Sequence, residues 1–155
     1  MSIASLSQLS TEEVNLVLNT PALVSLLIGG ADNNFDNEEK ERAKKIVAFR
    51  KTTGDPLLFE YFNLVEETFE NEIQILSERY SGDALERNSK ITEELVKLNE
   101  VLPKMDHNYA NALLQNWRTL AKGVAEASGG FLGMFEESSE EAHLVGLKMI
   151  EFGNN

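Results

Sequence analysis

The sequence predicts an all-α protein, a single-domain helical bundle of about seven helices. Its 155 residues include only three prolines and are rich in Leu, Glu, Ala and Lys, which favour helices. Apolar side chains recur at steps of three and four along several stretches, and no stretch shows the apolar–polar alternation of a half-buried strand. Because no Ser/Gly/Pro-rich linker divides the chain, we expect one domain over 1–155, with an ordered core from 10 to 152.

Two short helices are predicted near the N-terminus, separated at a proline. Ser10-Thr11-Glu12-Glu13 is typical of a capping box, in which the Ser10 hydroxyl and the Glu13 carboxylate accept hydrogen bonds from backbone N–H groups. Thr20-Pro21 predicts a second start, because Thr caps helices and Pro is favoured at the first helical position. The second segment, Pro21–Ile28, is apolar on almost every side, which predicts burial all round.

The third and fourth predicted helices are amphipathic. The third runs from 38 to about 53, and its stripe is formed by Ala43, Ile46, Val47 and Arg50. The fourth runs from 56 to 80 and has the strongest helical pattern in the chain. Its apolar residues recur at alternating steps of four and three: Leu58, Phe62, Val65, Phe69, Ile73, Leu76 and Tyr80.

The opposite face of the fourth predicted helix is acidic, and no Lys or Arg occurs between Thr52 and Ser77. The carboxylates of this face belong to Glu60, Glu66, Glu67, Glu70 and Glu72. A solvated surface accounts for such a face, and so does a docking surface for a basic partner.

Three further helices are predicted in the C-terminal half. The fifth spans 83–104, with an interruption near Asn88-Ser89 where a new cap can form. The sixth begins at Asp106 or Asn108 and ends at Gly129-Gly130, and the seventh runs from 140 to about 152. The predicted core residues of the fifth and sixth helices are Ile91, Leu95, Leu98, Leu102, Ala110, Leu113, Leu114, Trp117, Leu120, Ala121 and Val124.

Two glycine-containing turns, Gly29–Glu41 and Ala127–Ala142, follow a common plan. In each, an apolar helix is followed by an aromatic residue, Phe35 or Phe131, and then by a small polar N-cap and two acids. Acids in the first turn of a helix are favoured by the helix dipole. The sequence therefore predicts two pseudo-repeated helix–acidic turn–helix corners.

The first corner contains a candidate cation site. Asp32, Asn34 and Asp36 alternate as the first ligands of an EF-hand loop do. The sixth position is Asn37 instead of Gly and the twelfth is Ala43 instead of Glu, which excludes an EF-hand. A weaker oxygen-ligand site for Ca²⁺ or Mn²⁺ remains open beside the simpler interpretation, in which these acids form a turn and complement a helix dipole.

The sequence predicts no enzyme. Glu140 and His143 have Glu-x-x-His spacing, but a di-iron bundle needs two such motifs, and Lys104 occupies the matching position before His107. Phosphate loops, dinucleotide fingerprints and nucleophile elbows do not occur. A metalloenzyme of the carboxylate-bundle type is thus disfavoured, whereas a bundle that binds an apolar ligand stays open.

Charge and cysteine content exclude further classes. The net charge is -12, from 26 acidic and 14 basic side chains, which disfavours nucleic-acid binding. The absence of cysteine excludes disulfides, thiolate zinc sites and cysteine nucleophiles, and agrees with a reducing compartment. The N-terminus does not resemble a secretion signal, and the most apolar segment is too short to span a bilayer. We therefore expect a cytoplasmic protein without a transmembrane segment.

The two turns also carry a family resemblance. Ala31-Asp32-x-x-Phe35-Asp36-x-Glu38-Glu39 resembles the signature turn of the TerB-like domains, named for the tellurite-resistance protein TerB. Ala127-Ser128-Gly129-Gly130-Phe131-Leu132-Gly133, with Ser139-Glu140-Glu141, is similar to the second turn of that domain. The family's usual Gly after the first Asp is Asn33 here, which favours an uncharacterised branch of the family over TerB itself.

The resemblance implies an all-helical bundle with no established enzymatic activity. It also implies a role in stress or chemical resistance through protein partners, with membrane contact only through such a partner. The candidate metal ligands that it implies are Asp32, Asp36, Glu39, Glu140 and Glu141. Our leading hypothesis is a non-enzymatic TerB-like protein that binds divalent cations weakly. The alternative is a scaffold module that docks a basic partner on the acidic face of the fourth helix.

Overall fold

Helices make up the architecture throughout the part of the chain that the computed structural model describes, residues 4–29, 37–127 and 144–152. The α-helices are α1 (Thr11–Gly29), α2 (Asn37–Arg50), α3 (Phe59–Arg79), α4 (Ala84–Val96), α5 (Leu98–Val101) and α6 (His107–Ala127). Short 3-10 helices cover Ala4–Leu6, Pro56–Leu58 and Leu102–Lys104. These ranges contain no strand, and the all-α class is confirmed. The predicted count of seven helices is not confirmed, because the described ranges contain five long α-helices and the one-turn α5.

The start of α1 follows its sequence pattern. The Ser10 amide donates to Glu13 Oε1 at 2.9 Å, and the Glu13 amide donates to Ser10 Oγ at 3.1 Å. Two of the N–H groups that a helix start leaves unpaired are thereby satisfied. The predicted capping box is confirmed.

Pro21 lies inside α1, so the predicted separation into two helices is wrong. Proline has no N–H, and the carbonyl of Val17, four residues earlier, consequently lacks its helical donor. The Tyr61 hydroxyl of α3 donates to that carbonyl at 2.7 Å, and Trp117 Nε1 of α6 donates to the Tyr61 hydroxyl at 3.1 Å. The helix therefore continues because two other helices complete its hydrogen bonding.

The second half of α1 is the centre of the bundle. Every residue from Thr20 to Gly29 is buried, as the apolar character of this segment predicts. The helix packs against α3, α4 and α6. Its two buried hydroxyls are satisfied within the helix, since Thr20 Oγ1 donates to the Leu16 carbonyl at 2.7 Å and Ser25 Oγ to the Pro21 carbonyl at 2.8 Å. Both hydroxyls therefore keep a hydrogen-bond partner although the helix is buried on all sides.

The predicted apolar stripes of the long helices form the remaining core. In α2, Ala43 and Val47 are buried, and Ile46 packs against the core at its edge. All predicted core residues of the later helices are buried except Tyr80, which is half-buried. At the contact of α2 with α6, a Cβ added at Gly123 would lie 2.5 Å from Ile46 Cδ1. The absence of a side chain at Gly123 therefore makes room for Ile46 in its present position.

The C-terminal half departs from prediction at two places. The predicted interruption at Asn88-Ser89 is wrong: α4 continues to Val96, and the interruption lies at Lys97, before α5. The predicted last helix is wrong over 146–152. Within the described residues 144–152, only 144 and 145 are helical, and 146–149 form turns. Leu147 has φ of 50°, a left-handed conformation that does not occur in a helix. Both corner turns, 30–36 and 128–143, lie outside the described residues, so the pseudo-repeat stays a prediction.

Candidate functional site

The predicted cation ligands cannot be assembled from the described residues. Asp32, Asp36, Glu140 and Glu141 lie outside the described ranges, and Glu39 lies within α2 without a described side chain. Across 4–29, 37–127 and 144–152, no group of three or more His, Asp or Glu side chains is placed to hold a metal ion. The cation site consequently remains a prediction from the motif alone.

The acidic face of α3 divides into two flanks, of which one is neutralised within the chain. Lys51 Nζ lies 2.5 Å from Glu66 Oε1. Lys44 Nζ lies 3.1 Å from Glu70 Oε2 and 3.3 Å from Glu41 Oε2. The basic partners of this flank are Lys44 of α2 and Lys51 directly after that helix. The sequence did not reveal them because the paired residues are 15 or more positions apart.

These ion pairs change the titration of their members. The hydrogen bond with Glu70 raises the pKa of Lys44, and the pair with Glu41 adds to this effect. The same lysine lowers the pKa of Glu70. Glu41 and Glu70 are exposed and Lys44 is partly exposed, and ion pairs in such positions contribute little to stability. With Phe69 and Val47 they line a groove of about 400 Å³ between α2 and α3.

The other flank faces solvent, and we call it the α3 acidic strip. It contains Glu60, Glu67 and Glu78, which are exposed and form no ion pair with any described residue. At 100° per residue the spacings of 7 and 18 residues place all three within about 20° of one line along the helix, over roughly 27 Å. The strip thus presents three uncompensated negative charges along one exposed line.

A buried polar chain joins α1, α3 and α6 behind the strip. Burial raises the pKa of the Tyr61 hydroxyl well above its usual range, although the hydrogen bond from Trp117 acts in the opposite direction. A neutral hydroxyl both donates and accepts, which its two bonds require. Tyr109 is also buried, and its hydroxyl has no hydrogen-bond partner in the described part of the chain. The Tyr61 hydroxyl therefore links α1, α3 and α6 through its two hydrogen bonds.

Arg50 connects α2 to α6. Its Nη1 donates to the Oδ1 of Asn116 and, at 3.4 Å, to the Asn116 carbonyl. Burial lowers the pKa of this guanidinium, as expected for a half-buried cation. The sequence placed Arg50 on the buried stripe correctly but gave no indication of its partner.

A shallow apolar groove runs along α4. Leu85 is 78% exposed and Val96 is 44% exposed, and both line this groove together with Thr92 and Leu144. Its volume is about 450 Å³. Leu85 and Val96 both lie off the Ile91–Leu95 stripe, and apolar residues off the buried stripe are the sequence signal that indicates such a groove.

A second feature missed from the sequence is the attachment of residues 146–152 to α5 and α6. Asn99 and Arg118 hydrogen-bond to the main chain of this segment. The partners are 28 to 52 positions apart, so no local pattern indicates them. Burial lowers the pKa of the Arg118 guanidinium.

No helix in the described ranges is long and apolar enough to cross a membrane. Comparison with known proteins adds no assignment: no protein-family model, curated protein or solved structure matches this chain.

Proposed function

We propose that this protein is a non-enzymatic helical interaction module that docks a basic protein partner on the α3 acidic strip. The observation that supports the proposal is the division of the α3 face. Glu70 is already paired with Lys44 of α2, and Glu66 with Lys51 directly after that helix. Glu60, Glu67 and Glu78 are exposed and have no cationic partner among the described residues. Like charges along one line repel each other, and a partner with matching cations relieves that repulsion.

A basic helix or extended segment suits the strip better than a compact cation. The three carboxylates extend over roughly 27 Å, far more than a single ion can bridge. Lys or Arg side chains at helical spacing on a partner would meet them in turn. Because the contacts are exposed, they would be weakened by salt.

The proposal is tested with a fluorescein-labelled Arg/Lys-rich peptide and two triple variants of equal charge. E60Q/E67Q/E78Q removes the strip, and the control E93Q/E100Q/E126Q removes three exposed carboxylates elsewhere. Exposed charge contacts are worth about 0.2–1 kcal/mol each, so the strip variant should bind roughly 3- to 150-fold more weakly. An equal loss in both variants would show that net charge alone attracts the peptide and would refute the strip as a site.

A second proposal rests on the Ala31-Asp32-x-x-Phe35-Asp36 motif. We propose that the chain is a cytoplasmic TerB-like protein that functions in stress or chemical resistance and binds Ca²⁺ or Mn²⁺ weakly at its acidic turns. Titration with Ca²⁺ in an NMR experiment should shift the amides of Asp32 and Asp36. Unchanged amide positions in both turns at millimolar Ca²⁺ would remove the cation function while leaving the α3 strip untouched.

A further inference from the structure

Residues 146–152, here called the C-terminal strap, are held by side chains that bind its main chain. Arg118 Nε donates to the Gly146 carbonyl at 3.0 Å and Arg118 Nη2 to the Ile150 carbonyl at 3.4 Å. Asn99 Nδ2 donates to the Met149 carbonyl at 2.9 Å, and the Glu151 amide donates to Asn99 Oδ1 at 2.7 Å. Four hydrogen bonds thus recognise backbone atoms, whatever side chains the strap carries.

Apolar side chains supply the sequence preference. Leu147, Met149 and Ile150 are buried, whereas Lys148 and Glu151 are exposed. Burial of these aliphatic side chains removes apolar surface from water and favours attachment of the strap. Main-chain hydrogen bonds combined with side-chain pockets are the usual chemistry by which proteins bind a peptide segment.

The groove that receives the strap is formed by α5, the following 3-10 helix and α6. Pro103 and Asn99 line a hollow of about 260 Å³ beside Glu151 and Phe152. The ring of His107 lies 5.4 Å from the ring of Phe152, centroid to centroid. None of these contacts depends on chain continuity with α6, because an identical segment from elsewhere would present the same atoms.

We infer that this groove is a docking site for the strap of a second copy of the chain, so that two copies can exchange straps. The occupant is specified by the structure, since the groove already binds this sequence. The link from Ala127 to Leu144 has 16 residues, and a chain of that length reaches at most about 55 Å. An exchanged pair keeps the hydrogen bonds and buried side chains of both straps, and its symmetry is closed.

The attached strap faces its own groove at an effective concentration in the millimolar range, so a second copy competes for the groove only when the protein itself is at about millimolar concentration. The chain contains no cysteine, which permits a clean paramagnetic test. Unlabelled Lys148→Cys, carrying a spin label on the exposed face of the strap, is mixed at millimolar concentration with ¹⁵N-labelled wild-type protein. We expect loss of the Asn99 and Arg118 amide signals, restored when the label is reduced.

Two variants make the result specific. A spin label at Glu60→Cys, which is exposed on α3 and is not part of the strap, should cause less loss of the groove amide signals than the label at Lys148→Cys, because only the strap enters the groove of the ¹⁵N-labelled copy. Adding Glu151→Pro to the Lys148→Cys copy removes the N–H that donates to Asn99 and should reduce the signal loss. The amide spectrum of each variant also reports whether it is folded. Absence of signal loss at the groove, or equal loss from both label positions, would overturn strap exchange.

Discussion

Tyr61→Phe removes one oxygen atom from the core, and that atom makes two buried hydrogen bonds. The hydroxyl donates to the Val17 carbonyl at 2.7 Å and accepts from Trp117 Nε1 at 3.1 Å. The substitution takes the donor from the Val17 carbonyl and the acceptor from the Trp117 N–H, and residue 21, a proline, has no N–H that could replace the donor to Val17. The variant should therefore be much less stable than the loss of a single hydrogen bond suggests.

The magnitude follows from the two groups left unpaired. A buried polar group without a partner costs about 1–3 kcal/mol, so the two groups left by Tyr61→Phe should lower the free energy of unfolding by about 2–6 kcal/mol. Each kcal/mol corresponds to about 2–4 °C in the melting temperature of a domain of this size. Urea unfolding followed by far-UV circular dichroism measures this loss directly, since helices supply the signal.

Pro21→Ala tests whether the Tyr61 hydroxyl compensates for the missing N–H of Pro21. The new residue has an N–H that can donate to the Val17 carbonyl, so only Trp117 remains unpaired when Tyr61 is replaced by Phe. The cost of Tyr61→Phe should fall by about 1–3 kcal/mol in the Pro21→Ala background. An unchanged cost would show that the tyrosine does not compensate for the proline, and the explanation for the continuity of α1 would then be wrong.

Three further predictions concern the core and the helix start. Tyr109→Phe should leave stability unchanged or raise it by about 1 kcal/mol, because its buried hydroxyl has no described partner; a loss as large as that of Tyr61→Phe would contradict this. Gly123→Ala should be destabilising by about 1–2 kcal/mol in urea unfolding, because the new methyl meets Ile46 Cδ1, and should become stabilising in the Ile46→Val background, which lacks that atom. The hydrogen bond from Lys104 lowers the pKa of Glu13 from its ordinary value of 4.5, so the ionised carboxylate contributes stability that is present above pH 4.5 and is lost as pH falls through the folded pKa. The stability difference between wild type and Glu13→Gln, which keeps the cap, should accordingly shrink in acid; a difference independent of pH would refute the link.

The helices could be predicted wherever their sequence signals lie within a few turns of one another. The capping box at Ser10, the alternating steps of four and three in α3 and the stripe of α6 each depend on residues within a few turns of one another. Periodic burial of this kind needs only an apolar interior on one side of a helix. The helical structure of these segments and the face that each one buries could therefore be predicted from the local pattern.

The candidate site was less predictable. The acidic character of α3 was evident, but its division into a neutralised flank and an exposed strip depends on Lys44 of α2 and on Lys51 directly after that helix. Charges that belong to another helix are not visible in the pattern of the helix they neutralise. The predicted cation ligands lie outside the described residues, apart from the backbone of Glu39, and their role stays a prediction.

The sequence by itself determined the all-helical class and the face that each long helix buries, because these follow from local propensity and periodicity. The tertiary structure alone decided three matters that depend on distant partners. A proline stays within α1 because Tyr61 supplies the missing donor, and the chain leaves the helix at 146–152 because Asn99 and Arg118 bind its main chain. The exposed charge of α3 is what remains after α2 has packed beside it, since hydrogen-bond and charge satisfaction depend on what surrounds a residue in space.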